Sequence, residues 1–397
     1  MKRLAKILFV WELGGGFGHL ARIRPIALKL AERGYQLFAA MNDVTRTHRI
    51  NRDIDMRILQ APLFRRRPAN YVRRPPTFAH ILHNIGFCNE ESLAALTGAW
   101  HELYDLIRPD LVVFDHSPTA LLASRGLTMR RVVIGSGFFC PPDVDPLPRF
   151  QPGDETAIRD GIDRVLSTIN GCLASRQQPP LDRVLQFYRE VDDTILTTFS
   201  ELDHFGARQA VNYWGAWTHF GGVAPNWPEA TGPRVFGYLK RFKALPALLE
   251  HLLRRKLPSL LVIDGVTAET CAKYQSDTLR LASAPLDISQ AAGQCDLAVL
   301  NGTHGTAVAM LLAGKPSLHI PLFLEQAILA RSVVRMGAGL CASPNDPRMI
   351  ADQFDRVLAS DVYRKGAIRF AGRYADFDPE LQIEKIVARL QRLLPAE

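Results

Sequence analysis

The sequence predicts an α/β protein of two Rossmann-like halves, each built on a parallel sheet and facing the other across a cleft. Three observations carry that prediction. Short apolar runs, Lys6 to Val10 first among them, end in a glycine turn and continue into an amphipathic helix. Strand, turn, helix and strand in that order make a parallel βαβ unit. The same alternation recurs after residue 233, and between the two stretches residues 206–232 cluster Gly, Pro and Trp with no hydrophobic period, as an interdomain connection does.

Each element follows from the same pattern. The strand at Lys6 to Val10 leads into Gly14-Gly15-Gly16-Phe17-Gly18-His19, a helix from Leu20 to Arg33 closed by Gly34, and a strand from Tyr35 to Ala40. A second unit places a strand at Leu111 to Phe114, a helix at Pro118 to Arg125 and a strand at Arg131 to Ile134, with Ile195 to Thr198 as the last strand of this half. The second half opens with a strand at Arg234 to Leu239, a helix at Pro246 to Arg255, and strands at Leu260 to Ile263 and Leu297 to Leu300. A helix from Thr306 to Ala313, a strand at Ser317 to Ile320 and helices from Glu325 to Met336 and from about Pro379 to Leu394 complete it. Open parallel sheets bind ligands at the carboxyl ends of their strands, so the glycine turns are where a site is expected.

Composition narrows the class. The chain has 397 residues, 47% hydrophobic and 22% charged, which excludes disorder, collagen and coiled coil. At about 150 residues per domain it has room for two or three cores. Its six cysteines are scattered with no C-x-x-C pair, which argues against a zinc ribbon or a disulfide scaffold and fits a reducing compartment. The opening MKRLAKILFV reads as a first strand rather than a signal peptide, and no run of eighteen apolar residues exists, so a soluble, cytoplasmic protein is expected.

The net charge of +8 is local. Between Arg46 and Pro76 nine arginines stand against Asp53 and Asp55. A nucleic-acid footprint would spread over a face or a helix, so nucleic acid is not an expected partner. Arg65, Arg66, Arg67, Arg73 and Arg74 read either as a solvated loop or as acceptor-side groups that meet an acidic acceptor or an anionic membrane surface, which would place the protein peripherally on the inner membrane face.

Three constellations carry chemistry. In the first glycine turn, Gly16 and Gly18 let the backbone approach a phosphate or sugar, and His19 puts a titratable group at the sheet edge where a dinucleotide fingerprint would need a small residue. Asp115 ends the second unit's strand at the same edge, where it can orient an imidazole, or else cap the helix that follows; His116 is expected to point to the opposite face. In the third, the strand ends in Asn301-Gly302-Thr303-His304-Gly305-Thr306 and a small-residue helix follows, so helix N–H groups, dipole and the Thr306 hydroxyl favour an anion such as a diphosphate without a metal. Glu325-Gln326, after the next strand, can hydrogen-bond sugar hydroxyls or form the polar first turn of a helix.

On these residues the chain resembles the nucleotide-sugar-dependent glycosyltransferases of the GT-B fold, of the family-1 type. The resemblance covers G-H-x-x-x-x-x-P at Gly18 to Pro25, Pro109 to Gly135, and most of residues 280–342 through Gly337-Ala338-Gly339. It implies that His19 is the base that deprotonates the acceptor, with Asp115 in the region of its carboxylate partner. It implies further that Gly302, Gly305 and Thr306 hold the donor diphosphate, that Glu325 and Gln326 hold the donor sugar, and that the C-terminal helix crosses back to the N-terminal half. Asn301 stands where the family usually has a histidine, and Ala284-Pro285-Leu286-Asp287 where it often has a tryptophan. The first glycine loop is also similar to that of the lipid-II-forming branch, whose acceptor is a membrane lipid.

The expectation is an inverting, metal-independent transfer from a nucleoside-diphosphate sugar, UDP first, to a hydroxyl of a small-molecule, natural-product or lipid-like acceptor, with no cofactor beyond the donor. A nucleotide-sugar-binding accessory protein is the alternative that Asn301 suggests. A nicotinamide-dependent oxidoreductase ranks third, supported only by Asp43 after the second strand. The expected domains are an acceptor domain over 1–215, a linker over 216–232, a donor domain over 233–377 and a crossover helix over 378–397.

Overall fold

A computed structural model describes residues 4–217 and 221–394; residues 218–220 of the expected linker, and 1–3 and 395–397 at the ends of the expected domains, lie outside it. The chain divides into two compact units, one running to Gly215 and resuming at Glu380, the other spanning Ala216–Pro379.

Unit 1 is a six-stranded, wholly parallel sheet. Its strands are β1 (Lys6–Trp11), β2 (Gln36–Met41), β3 (Met56–Gln60), β4 (Leu111–Asp115), β5 (Arg130–Gly135) and β6 (Asp193–Leu196), in the order β3-β2-β1-β4-β5-β6. Ile7, Leu8, Phe9, Val112 and Val113 are fully buried, because helices cover both faces and the central strands are therefore continuous apolar runs. β3 was not expected: it is an edge strand whose Met-Arg-Ile-Leu-Gln leaves every side chain half-buried or exposed, so no apolar run marks it. The helix after the first turn spans Gly18–Glu32 and starts two residues earlier than the apolar pattern, which puts His19 in its first turn. Helices Phe78–Asn84, Glu90–Ile107 and Glu155–Ala174 fill the long connections of this unit.

Unit 2 repeats the plan. β7 (Val235–Lys240), β8 (Ser259–Asp264), β9 (Leu279–Leu281), β10 (Leu297–Leu300), β11 (Ser317–His319) and β12 (Gly339–Cys341) form a parallel sheet in the order β12-β11-β10-β7-β8-β9. In both sheets the first strand lies beside the fourth, so the connections leave in opposite directions at β1/β4 and at β7/β10. A crevice opens at such a reversal, outside the carboxyl ends of the strands.

The last helix, Pro379–Leu393, packs in unit 1. Ile383, Ile386, Val387 and Leu390 are buried at the i, i+3, i+4, i+7 spacing of one helix face. Around them Lys29 and Arg33 pair with Glu384 at 2.8 and 2.5 Å, and Arg389 pairs with Asp193 at the start of β6. Among the described residues no helix is long and apolar enough to cross a membrane, and all six cysteines are unpaired.

Burial rather than the ion pairs holds this helix, because exposed pairs contribute at most about 1 kcal/mol. Ile386→Ala is therefore expected to destabilise unit 1 by about 2–5 kcal/mol and Glu384→Gln by less than about 1 kcal/mol, read as urea midpoints.

Candidate active site

The carboxyl ends of β1 and β4 bring His19 and Asp115 together. His19 Nδ1 lies 3.0 Å from Asp115 Oδ1, and the carboxylate is 0% exposed. The ring stacks on Trp11 with centroids 5.0 Å apart and leans on Phe139 at 4.8 Å. Its other nitrogen lies under the glycine turn. A Cβ built on Gly14 would sit 2.7 Å from Nε2, and Gly14 has φ +86, so a glycine is required there for conformation and for clearance. With Nδ1 turned to the carboxylate, Nε2 is the nitrogen left to accept a proton. His19 does not cap its helix; no side chain does.

Asp115 is shared. Arg22, one helical turn after His19, donates from Nη1 to Asp115 Oδ2 at 2.6 Å and from Nε to Thr197 Oγ1 at 2.7 Å. Burial pushes the Asp115 carboxyl up, but the charges of Arg22 and His19 more than offset this and hold it below the usual carboxylate range. Sequence reasoning missed Arg22, although its i+3 spacing from His19 puts both on one helix face.

His116 is a correction. It lies beside His19, with ring centroids 6.1 Å apart, and stacks on Phe139 at 4.4 Å. Strand alternation fails there because β4 has ended and His116 takes φ +49. Both ring nitrogens are buried without a hydrogen-bond partner, and burial, helped by the nearby His19 charge, pushes the imidazole down to about 3.

The helix cap that is the alternative reading of Asp115 belongs to Glu12. Its Oε1 accepts from Ala120 N at 2.6 Å, and its Oε2 accepts from the Thr119 hydroxyl at 2.9 Å, at the start of helix Pro118–Ala123. The Glu12 N–H donates to Ser117 Oγ at 3.0 Å, tying the ends of β1 and β4. Burial pushes the Glu12 carboxyl up to about 8 despite the cap bonds.

In unit 2 Asn301, Gly302 and Thr303 form the turn between β10 and helix His304–Leu312, so His304, Gly305 and Thr306 lie in the first turn of the helix. Gly302 has φ +86, Thr303 is the N-cap residue, and its hydroxyl donates to Thr306 Oγ1 at 3.2 Å. The side chain of Asn301 is buried and tied into the fold. It accepts from Lys240 N at the end of β7 and donates to Ile320 O at 2.8 Å. Gln326 is also buried, with its carbonyl accepting from Leu322 N at 2.8 Å, and Glu325 lies in the first turn of helix Leu324–Arg335. Ala284 to Asp287 runs past Val223, whose N–H donates to Pro285 O at 3.0 Å, and Asp287 caps helix Ile288–Gln294.

Arg65, Arg66, Arg67, Arg73 and Arg74 are exposed, and no carboxylate pairs with any of them among the described residues. Asn84 pins Val72 through two hydrogen bonds of 2.8 and 2.9 Å, and Arg67 stacks on Tyr71 at 4.0 Å, so this loop has a defined course. In unit 1, Gly16 has φ +99 and Gly18 opens the helix. Asp43 caps helix Val44–Ile50 by accepting from Arg46 N.

Glu12 makes stability depend on pH. Its folded-state value lies above the unfolded one, so its contribution is complete below about 4.5 and is lost as pH rises towards about 8. Glu12→Gln, which keeps an acceptor for Ala120 N, is expected to match the wild type in melting temperature near pH 4.5 and to exceed it above pH 8. Parallel melting curves across that range check this.

No protein-family description and no curated protein matches the sequence. Solved structures match along its whole length. The chain is similar to the glycosyltransferase VinC in complex with dTDP at 15% identity and a TM-score of 0.69, covering 98% of this chain and 99% of that one. It is similar to the spinosyn rhamnosyltransferase SpnG complexed with thymidine diphosphate at 17% identity and a TM-score of 0.64, covering 96% and 100%. It is similar to the glycotransferase of kitacinnamycin at 14% identity and a TM-score of 0.71, covering 99% and 100%. Two parallel sheets of the same strand order, a C-terminal helix returned to the first unit and full-length agreement with these structures identify the chain as a protein of the GT-B fold.

Proposed function

We propose that the protein is an inverting glycosyltransferase that moves a sugar from a nucleoside-diphosphate sugar to a hydroxyl of a small-molecule or lipid-like acceptor. The observation that carries this reading is the His19–Asp115 pair, which turns Nδ1 to the carboxylate and leaves Nε2 beneath a glycine turn. In the proposed reaction the acceptor hydroxyl lies at Nε2 and gives up its proton to it as the oxygen attacks the anomeric carbon. The carbon–diphosphate bond breaks on the opposite face, and the imidazolium that forms is stabilised by Asp115. A positioned base of this kind contributes about 10²–10⁴-fold.

The donor is assigned to unit 2. The stretch from Gly302 to Thr306 spans a helix N-terminus, whose N–H groups and dipole favour the departing diphosphate with no metal required. Glu325 and Gln326 are assigned to the donor sugar. VinC and SpnG are described with thymidine diphosphate, which supports testing thymidine nucleotides beside UDP. The exposed arginines of the 65–74 stretch support an acceptor that carries negative charge or is presented at an anionic surface.

Thermal shifts with dTDP, UDP, GDP and NAD⁺ test the donor half. A nucleoside diphosphate at 100 times its dissociation constant adds about 2.7 kcal/mol, which is several degrees. His19→Ala is expected to keep that shift and to lose sugar transfer by about 10²-fold or more, with EDTA leaving the wild-type rate unchanged. A nucleotide shift with neither transfer nor donor hydrolysis would favour the accessory-protein reading, in keeping with an Asn301 amide bound into the strand ends. A shift with NAD⁺ alone would replace both readings.

A further inference from the structure

Asp115 is fully buried, yet its two oxygens face two basic side chains carried on one helix: His19 at 3.0 Å on Oδ1 and Arg22 at 2.6 Å on Oδ2. We propose that Arg22 is a positioning residue for the His19 base: it balances the buried charge of Asp115 and fixes its second oxygen, so that the first stays on Nδ1. This rests on the reading of His19 as the base.

The geometry leaves few other groups to do this. Among the described residues the titratable side chains that interact with this carboxylate are His19 and Arg22 from helix Gly18–Glu32, in direct contact, and His116 from the turn after β4 and Cys140 after β5, through its charge. His116, pushed down to about 3, and Cys140, pushed up to about 12, are both uncharged near neutral pH. Arg22 is therefore the permanent counter-charge among these groups. An isolated carboxylate in such a place would take up a proton. A protonated Asp115 would no longer hold the imidazole with Nδ1–H inward and Nε2 free.

Arg22 is itself held in place. Its Nε donates to Thr197 Oγ1 and its guanidinium lies 5.5 Å from the centroid of Phe139, the ring that also packs on His19 and His116. A lysine would keep the charge but lose this fork, because one ammonium cannot bond the carboxylate and Thr197 in the same planar arrangement.

The test is Arg22→Gln, with Arg22→Lys and Thr197→Val beside it. Two readouts are used: the carboxyl resonance of ¹³C-labelled aspartate followed against pH, and the pH profile of transfer. In Arg22→Gln the Asp115 resonance is expected to titrate at higher pH than in the wild type. The acid limb of kcat should move up with it, kcat should fall by about 10²-fold, and KM should change little. Arg22→Lys should restore the titration and part of kcat, and Thr197→Val should fall between. An Asp115 titration in Arg22→Gln that matches the wild type would overturn the proposal and leave Arg22 a packing residue. If Arg22→Gln does not fold, Thr197→Val decides in its place: an Asp115 titration and a kcat equal to those of the wild type would overturn the proposal. The carboxyl titration needs no turnover. A wild type that transfers no sugar would sink the reading of His19 as the base, while the titration still decides whether Arg22 holds the charge of Asp115.

Discussion

An ionised carboxylate with no exposed surface must be paired on the spot, because removing it from water costs several kcal/mol. Asp115 meets that requirement by recruiting two residues one helical turn apart, and much of unit 1 follows from it. Once His19 and Arg22 both reach the same carboxylate, the rotation of helix Gly18–Glu32 about its axis is set. The Thr197 hydroxyl just beyond β6 then anchors Arg22, and the Phe139 ring covers the group. The glycine turn is the remaining freedom, and a Cβ at Gly14 would meet His19 Nε2.

The two units solve the same topological problem with different polar groups. At a reversal of strand order the backbone groups leaving the paired strands need partners, and buried ones are almost always satisfied. In unit 1 the β1 and β4 ends are joined by Glu12 N to Ser117 Oγ and by Leu13 N to His116 O. In unit 2 a single side chain, Asn301, reaches Lys240 at the end of β7 and Ile320 beyond β11. Asparagine suits that position because it offers a donor and an acceptor at once, neutral at every pH, where a histidine has fewer ways to bridge two backbone groups.

Much of this was legible in the sequence, and what was not has physical reasons. The central strands stand out because burial on both faces makes them unbroken apolar runs, and the strand from Leu297 to Leu300 was read to the residue. Edge strands such as β3 and the three-residue β9 and β12 have no such run. At the site, His19 and Asp115 could be placed at one sheet edge from strand ends alone. Arg22 could not, since an arginine on an amphipathic helix reads as solvated until tertiary structure supplies a buried partner. Glu12 was hidden likewise: it sits directly after an apolar strand, and its role as the cap of helix Pro118–Ala123 joins residues more than a hundred positions apart. His116 was misplaced because alternation was extended one residue past the strand, into a left-handed backbone position.

The return of helix Pro379–Leu393 to unit 1 makes that unit discontinuous in the chain. On the ribosome, Ala216–Pro379 is complete before the residues that finish unit 1 have been made. Domains fold largely as units during synthesis. Unit 2 can therefore close its sheet while the groove for Ile383, Ile386, Val387 and Leu390 still stands open and apolar. During that interval the apolar surface stays open, until helix Pro379–Leu393 docks beside Lys29 and Asp193, residues made long before it.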